Sequence, residues 1–98
     1  MKQNRDQITN VLNQHRELLK KNYNVKDLGV FGSFARGDNT QTSDVDILVR
    51  FSQPPGFFKF IELENYLTKL LGRKVDLVTE KALKPAIKND VLKEILYV

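Results

Sequence analysis

The 98 residues amount to one small domain, residues 1–98, in which 41% hydrophobic and 29% charged residues give the balance of a globular protein rather than a disordered or membrane-spanning one. No apolar run approaches the ~20 residues that cross a bilayer, the opening MKQNRDQITN is too polar for a secretory signal, and zero cysteines exclude disulfides, thiolate metal sites and thiol catalysis, so a reducing cytoplasm is the expected compartment. The net charge of +4 admits an anionic partner, but the basic pairs Lys20–Lys21 and Arg73–Lys74 and the set Lys81, Lys84 and Lys88 are dispersed among acids. They read as solvated surface, or as guidance for a nucleotide or an acidic protein, and leave direct nucleic-acid binding undecided.

Taken in order, residues 5–22 predict one amphipathic helix, because Ile8, Val11, Leu12, His15, Leu18 and Leu19 recur at spacings of three and four. His15, the single histidine, falls on or beside that stripe and reads as a packed imidazole rather than a catalytic base. Residues 25–31 (VKDLGVF) predict a strand with Leu28, Val30 or Phe31 toward the core, and residues 45–51 (VDILVRF) a second. In the second, Val45, Ile47 and Val49 share one face, with Asp44, Asp46 and Leu48 on the other. The segment SQPPG, residues 52–56, ends it. Residues 57–71 predict a helix with a wide stripe of Phe60, Leu63, Leu67, Leu70 and Leu71. Phe57, Phe58, Ile61 and Tyr66 exceed what one packed face needs, which points to a partner contact. After Gly72, residues 74–79 (KVDLVT) predict a third strand carrying Asp76, by spacing alone a surface acid on an edge strand. The tail reads as a turn about Pro85, a helix using Ile87, Val91, Leu92 and Ile95, and an apolar end, residues 96–98, packed on the sheet or on another subunit. The predicted class is α+β, a short mixed sheet of about three strands flanked by helices.

The chemistry concentrates in residues 32–46, GSFARGDNTQTSDVD, between the first two strands. Positions two apart on a strand project to the same side, so Asp44 and Asp46 point together. Two such carboxylates resist joint ionisation unless a divalent cation lies between them, and hard oxygen ligands suit Mg²⁺ or Mn²⁺, which complete their shells with waters and substrate phosphates. Gly32 lets the backbone approach a ligand and Ser33 adds a hydroxyl donor, a phosphate cradle that a short helix from residue 34 would reinforce. Arg36 can offer a bidentate charge to a phosphate or a nearby carboxylate. Ser43 either bonds the turn and holds Asp44 or serves the turn alone. A Walker A loop is excluded because Asp38 and Asn39 stand where Lys and Ser/Thr are required, and an EF-hand lacks its glycine and its third-position acid.

The pattern of Gly32, Ser33, Ala35, Arg36, Gly37, Ser43, Asp44 and Asp46 resembles the active-site motif of the DNA polymerase β-like nucleotidyltransferase superfamily, and in particular its minimal nucleotidyltransferases. The likeness covers most of the chain, since residues 70–83 (LLGRKVDLVTEKAL) resemble the segment that brings these proteins a third acid. It implies a single minimal nucleotidyltransferase domain, catalytic and metal-binding roles for Asp44, Asp46 and Asp76, and nucleotide binding by Gly32, Ser33, Arg36 and Ser43. It further implies a Mg²⁺-dependent (or Mn²⁺-dependent) transfer of a nucleoside monophosphate, AMP from ATP, to a hydroxyl. Minimal members are often antitoxins that adenylylate a tyrosine of a helical HEPN-domain ribonuclease toxin, so a hetero-oligomer with such a toxin is the implied assembly. Two alternatives stand beside it: an antitoxin that masks its partner by contact alone, and a catalytic subunit that modifies a nucleic acid or small molecule with a separate substrate-binding chain.

Overall fold

The computed structural model describes residues 4–98. Four strands form one mixed sheet in the order β3-β2-β1-β4, with β1 at Val25–Phe31, β2 at Val45–Phe51, β3 at Val75–Thr79 and β4 at Leu96–Tyr97. The expected three strands are present, and the apolar chain end adds the fourth. β1 and β2 are antiparallel, whereas β2 and β3 are parallel and need a crossover, which helix α4, Phe57–Leu71, supplies.

The N-terminal helix is two helices, α1 at Arg5–Gln14 and α2 at Arg16–Tyr23, where the periodicity predicts one. The break is at His15, whose backbone leaves the helical region (φ −106°, ψ 10°) and whose Nδ1 donates to the Val11 carbonyl oxygen at 2.9 Å. A side chain that bonds the preceding turn competes with the helical ladder and bends it. The bend lets both halves bury apolar side chains, Ile8 and Leu12 from α1 and Leu19 and Tyr23 from α2, while Leu18 stays exposed. His15 is half-buried, as a packed imidazole should be.

The two faces of the sheet differ. Val45, Ile47 and Val49 of β2 and Val75 and Leu77 of β3 pack under α1, α2 and α4 in the main core. The opposite face is closed in part by a smaller cluster of Phe31, Leu48, Leu83 and Val91, the last from α5 at Pro85–Glu94. Leu48 is therefore buried, but Asp46, two residues before it on the same face, is only half-buried. Cover stops where the acids begin. The edge of β3 is capped by α4: Glu64 Oε2 accepts the Leu77 amide at 3.0 Å and Thr68 Oγ1 accepts the Val75 amide at 3.1 Å. An edge strand with its donors occupied is a poor template for further pairing.

Helix α4 separates core from surface sharply, with Leu63 and Leu67 fully buried and Phe58 at 84% exposed. Leu67→Ala should cost about 2–5 kcal/mol in urea unfolding, and Phe58→Ala should change stability by no more than ~0.5 kcal/mol. Similar losses from the two would contradict this division of the helix.

Candidate active site

Strand β1 ends against the first residue of a turn that few residue types can occupy. Gly32 has φ 75° and ψ −150°, and a Cβ there would overlap the Asp46 carboxylate. In the register, Phe31 of β1 lies opposite Asp46 of β2. The small residue and the acid are thus packed on each other. Gly32 leads into α3, the single turn Ser33–Arg36, which is closed by Gly37 in the left-handed region and anchored by buried Phe34 and Ala35. Arg5 of α1 donates to the Ala35 carbonyl at 3.1 Å, so the N-terminal helix also holds this turn.

The parallel register pairs Asp46 with Asp76, so the two carboxylates stand side by side on neighbouring strands, on the face that α5 leaves open. Asp44 lies just before β2 begins and is exposed, with its carboxylate 3.9 Å from Lys74 Nζ. Burial pushes the Asp46 carboxyl up to about 6, helped by the negative charges of Asp76 and Asp44, with Arg36 working against the rise. The like-charge conflict the sequence predicts adds to the cost of burial at this carboxyl. Among the described residues no three carboxylate, imidazole or thiol side chains stand close enough to enclose an ion. The row is an open set of hard oxygens, the kind that suits a cation retaining waters and taking further oxygens from a substrate.

Asp46 shares a groove of about 420 Å³ with Gly32, Ser33, Arg36, Asp90 and Glu94, a volume within the roughly 300–1,000 Å³ of small-molecule sites. Arg36 is held from two sides, by Asp38 at Nε (3.2 Å) and by Glu94 at Nη1 (3.2 Å). Ser43 accepts the Thr40 amide at 2.8 Å, which fixes the loop leading into Asp44. Two residues of the site carried no signal in the sequence. Arg73, read there as surface, reaches across to the same loop: its Nη1 donates to the carbonyls of Gln41 (2.7 Å) and Ser43 (3.0 Å), and its guanidinium stacks on Phe34 with 5.3 Å to the ring centre. Glu94 accepts the Gly32 amide at 3.1 Å. No local spacing announces a partner 62 residues away.

The raised Asp46 carboxyl has a consequence for stability. Its ordinary value is 3.8 and its folded value about 6. Below pH ~4 the group is protonated in both states and costs nothing, whereas above pH ~6 it is ionised in both and the folded state carries the full burden of burial and repulsion. The contribution therefore becomes unfavourable as pH rises from ~4 to ~6. Asp46→Asn should raise the melting temperature by a few degrees at pH 8 without divalent ions, with the gain shrinking toward pH 4. Thermal unfolding at the two pH values checks this, and a gain independent of pH would contradict it.

The same geometry has relatives. The profile of the nucleotidyltransferase domain matches residues 12–98. Protein adenylyltransferase MntA of Thermococcus cleftensis is 47% identical over 93 residues, covering 95% of this chain and 94% of that protein. A protein assigned as an adenylyltransferase of proteins in Methanocaldococcus jannaschii is also 47% identical over 93 residues, covering 94% and 95%. Among solved structures, one described as a minimal nucleotidyltransferase superposes with a TM-score of 0.80 at 30% identity, covering 96% of this chain and 95% of that one. A toxin–antitoxin complex with AMP-PNP superposes with a TM-score of 0.71 at 26% identity, covering 87% and 69%. With its glycine turn, its row of strand acids and these relatives, the chain belongs to the nucleotidyltransferase domain family, as a minimal nucleotidyltransferase.

Proposed function

We infer that this nucleotidyltransferase moves AMP from ATP to a tyrosine hydroxyl of a partner HEPN ribonuclease toxin and thereby acts as its antitoxin. The observation that carries the reading is the contact of Gly32 with Asp46: it sets a cradle for phosphate oxygens directly beside a row of carboxylates. The protein adenylyltransferase among the relatives supports the nucleotide and the class of acceptor, and the toxin–antitoxin complex with AMP-PNP supports the kind of partner.

In this reading Gly32 lets the turn approach the triphosphate, whose oxygens the Ser33 amide and hydroxyl and Arg36 take. Asp44, Asp46 and Asp76 would hold Mg²⁺, or Mn²⁺, and when bound such an ion neutralises the acids together with the phosphates they face. Asp76 is exposed on its strand and open to an incoming acceptor. It takes the tyrosine proton as the phenolic oxygen bonds to the α-phosphorus and the bond to pyrophosphate breaks. Ser43 serves the nucleotide through the loop, holding Asp44 by its bond to Thr40. Most of the acceleration comes from positioning and charge, since no covalent intermediate with the chain is needed.

The masking alternative draws on a partner surface that the catalytic reading shares: Phe57 and Phe58, 73% and 84% exposed, stand in edge-to-face contact at the start of α4, near Ile61. Such a surface suits a partner whether or not chemistry follows. Intact-mass analysis of a HEPN-domain toxin offered as partner, incubated with the chain, ATP and Mg²⁺, separates the two. A gain of one or more adenylyl groups on the toxin is expected, reduced at least ~100-fold in rate by Asp44→Asn with Asp46→Asn. Neutralisation of the toxin by that double variant at wild-type level, with no mass gain in either reaction, would establish masking instead. The bound cation has its own readout: Mg²⁺ should raise the melting temperature of the wild type at pH 8 and leave the double variant unchanged.

A further inference from the structure

Arg36, the charged donor placed at the triphosphate, and Gly32, which opens the turn beside it, share one carboxylate. Glu94 Oε1 accepts the Gly32 amide at 3.1 Å and stands 3.4 Å from Arg36 Nη1, while Oε2 accepts from the same Nη1 at 3.2 Å. Its side chain is 23% exposed, against 61% for Asp38, the other acid on Arg36. The two anchors differ in kind. Asp38 is a neighbour in the same turn, but Glu94 arrives from the far end of the chain and must be delivered.

The delivery is built into the C-terminal segment. Glu94 is the last residue of α5, one turn after Val91, which is buried in the smaller core. Two residues later the chain becomes β4, paired to β1 at Gly29 with Tyr97 and at Val30 with Leu96, and the Val98 amide donates to the Leu28 carbonyl at 3.0 Å. Gly29 makes room for this: a Cβ there would lie 2.6 Å from the Ile95 side chain. Glu94 is therefore fixed on one side by a packed helix and on the other by a strand.

A carboxylate so placed has two opposite uses. It could compete with phosphate for Arg36, or it could set Arg36 and the turn for phosphate. Three features favour the second. The segment that carries Glu94 is tethered at both ends. Gly32 holds a conformation that needs restraint from its surroundings, and the bond from its amide supplies one. The contacts to Arg36 use Nε and Nη1, so neither occupies Nη2. We propose that Glu94 is a positioning residue of the nucleotidyl transfer, orienting the Arg36 guanidinium toward the triphosphate and fixing the Gly32 turn beside it through the Gly32 amide. The proposal rests on the reading of Arg36 as a phosphate ligand.

The test measures Mg²⁺-ATP affinity, KM for ATP, kcat and melting temperature for the full chain and for Glu94→Gln, Glu94→Ala, Arg36→Ala and the double variant Arg36→Ala with Glu94→Ala. A charge-assisted contact of this kind corresponds to roughly tenfold in affinity. Glu94→Ala should therefore weaken ATP and raise its KM about tenfold, with a smaller fall in kcat. Glu94→Gln should recover part of the loss, since its amide oxygen still accepts from Gly32, and it carries the test if the alanine variant fails to fold. The double variant should bind ATP little worse than Arg36→Ala, the non-additivity of two groups acting as one. Tighter ATP binding by Glu94→Ala would show a competing carboxylate and overturn the proposal. Unchanged affinity and turnover with only a lower melting temperature would show a purely structural tie and overturn it as well. If Arg36→Ala itself leaves ATP affinity intact, the reading of Arg36 falls and the role of Glu94 with it; if Arg36→Ala weakens ATP and Glu94→Ala does not, only the role of Glu94 falls.

Discussion

The site depends on one steric fact: at the end of β1 the chain has no side chain where Asp46 needs its space. With φ at 75°, Gly32 adopts a conformation that L-residues rarely reach, and its missing Cβ is filled by the Asp46 carboxylate. A larger residue would push the acid off its strand or the turn off its strand neighbour. Everything functional is measured from this contact. It fixes how far the donors of the turn stand from the carboxylate row, and the parallel register of β2 and β3 then extends the row to Asp76.

The two-faced sheet explains why this region is open at all. Helices α1, α2 and α4 cover one face, packing Ile8, Leu12, Leu19, Tyr23, Leu63, Leu67 and Leu71 against the apolar side chains of the strands. The other face receives only α5 and the turn before it, enough to bury Leu48 and Val91 but not Asp46 or Asp76. Two basic or buried anchors reinforce the rim of the uncovered part. Arg73 ties the loop carbonyls before Asp44 from the α4–β3 connection, and Arg5 ties the end of α3 from the first helix. A loop that carries catalytic groups works best on such a rigid surround.

Most of the framework was legible because it is local. Alternation placed β1, β2 and β3, the apolar stripe and Gly72 placed α4 at Phe57–Leu71, and the motif residues Gly32, Ser33, Arg36, Asp44 and Asp46 were named from the span that holds them. The break at His15 was not legible, since Ile8, Leu12, Leu19 and Tyr23 keep an average helical spacing across it. Strand β4 was read only as an apolar end, because two paired residues are too few to show a period. Arg73 and Glu94 were missed for a different reason. A lone arginine and a lone glutamate on otherwise polar stretches look like solvated charges, and their partners are set by tertiary structure 30 to 62 residues away. Asp76 stood between these cases: its spacing described an edge acid, and the family likeness and the register together describe a site.

The acid row also shows what the fold gives up for its chemistry. One step along the same face, Leu48 of β2 and Val78 of β3 stand in register, apolar and packed under α5. Apolar residues at 46 and 76 would continue that cluster and remove a carboxyl that burial, joined by the charges of Asp76 and Asp44, lifts to about 6. Among the described residues no cation forms an ion pair with Asp46 or Asp76. Arg36 approaches Asp46 but directs its hydrogen bonds to Asp38 and Glu94, and Lys74 reaches only the exposed Asp44 at 3.9 Å. A buried cation at the row would have settled the charge at the expense of any external one. The arrangement leaves the conflict in place within a chain of net charge +4, whose overall field favours an approaching anion. In the proposed reading, a site that keeps like charges together and unneutralised would be more stable with a cation and a triphosphate than without them, and binding energy would thereby be drawn into assembling the reacting groups.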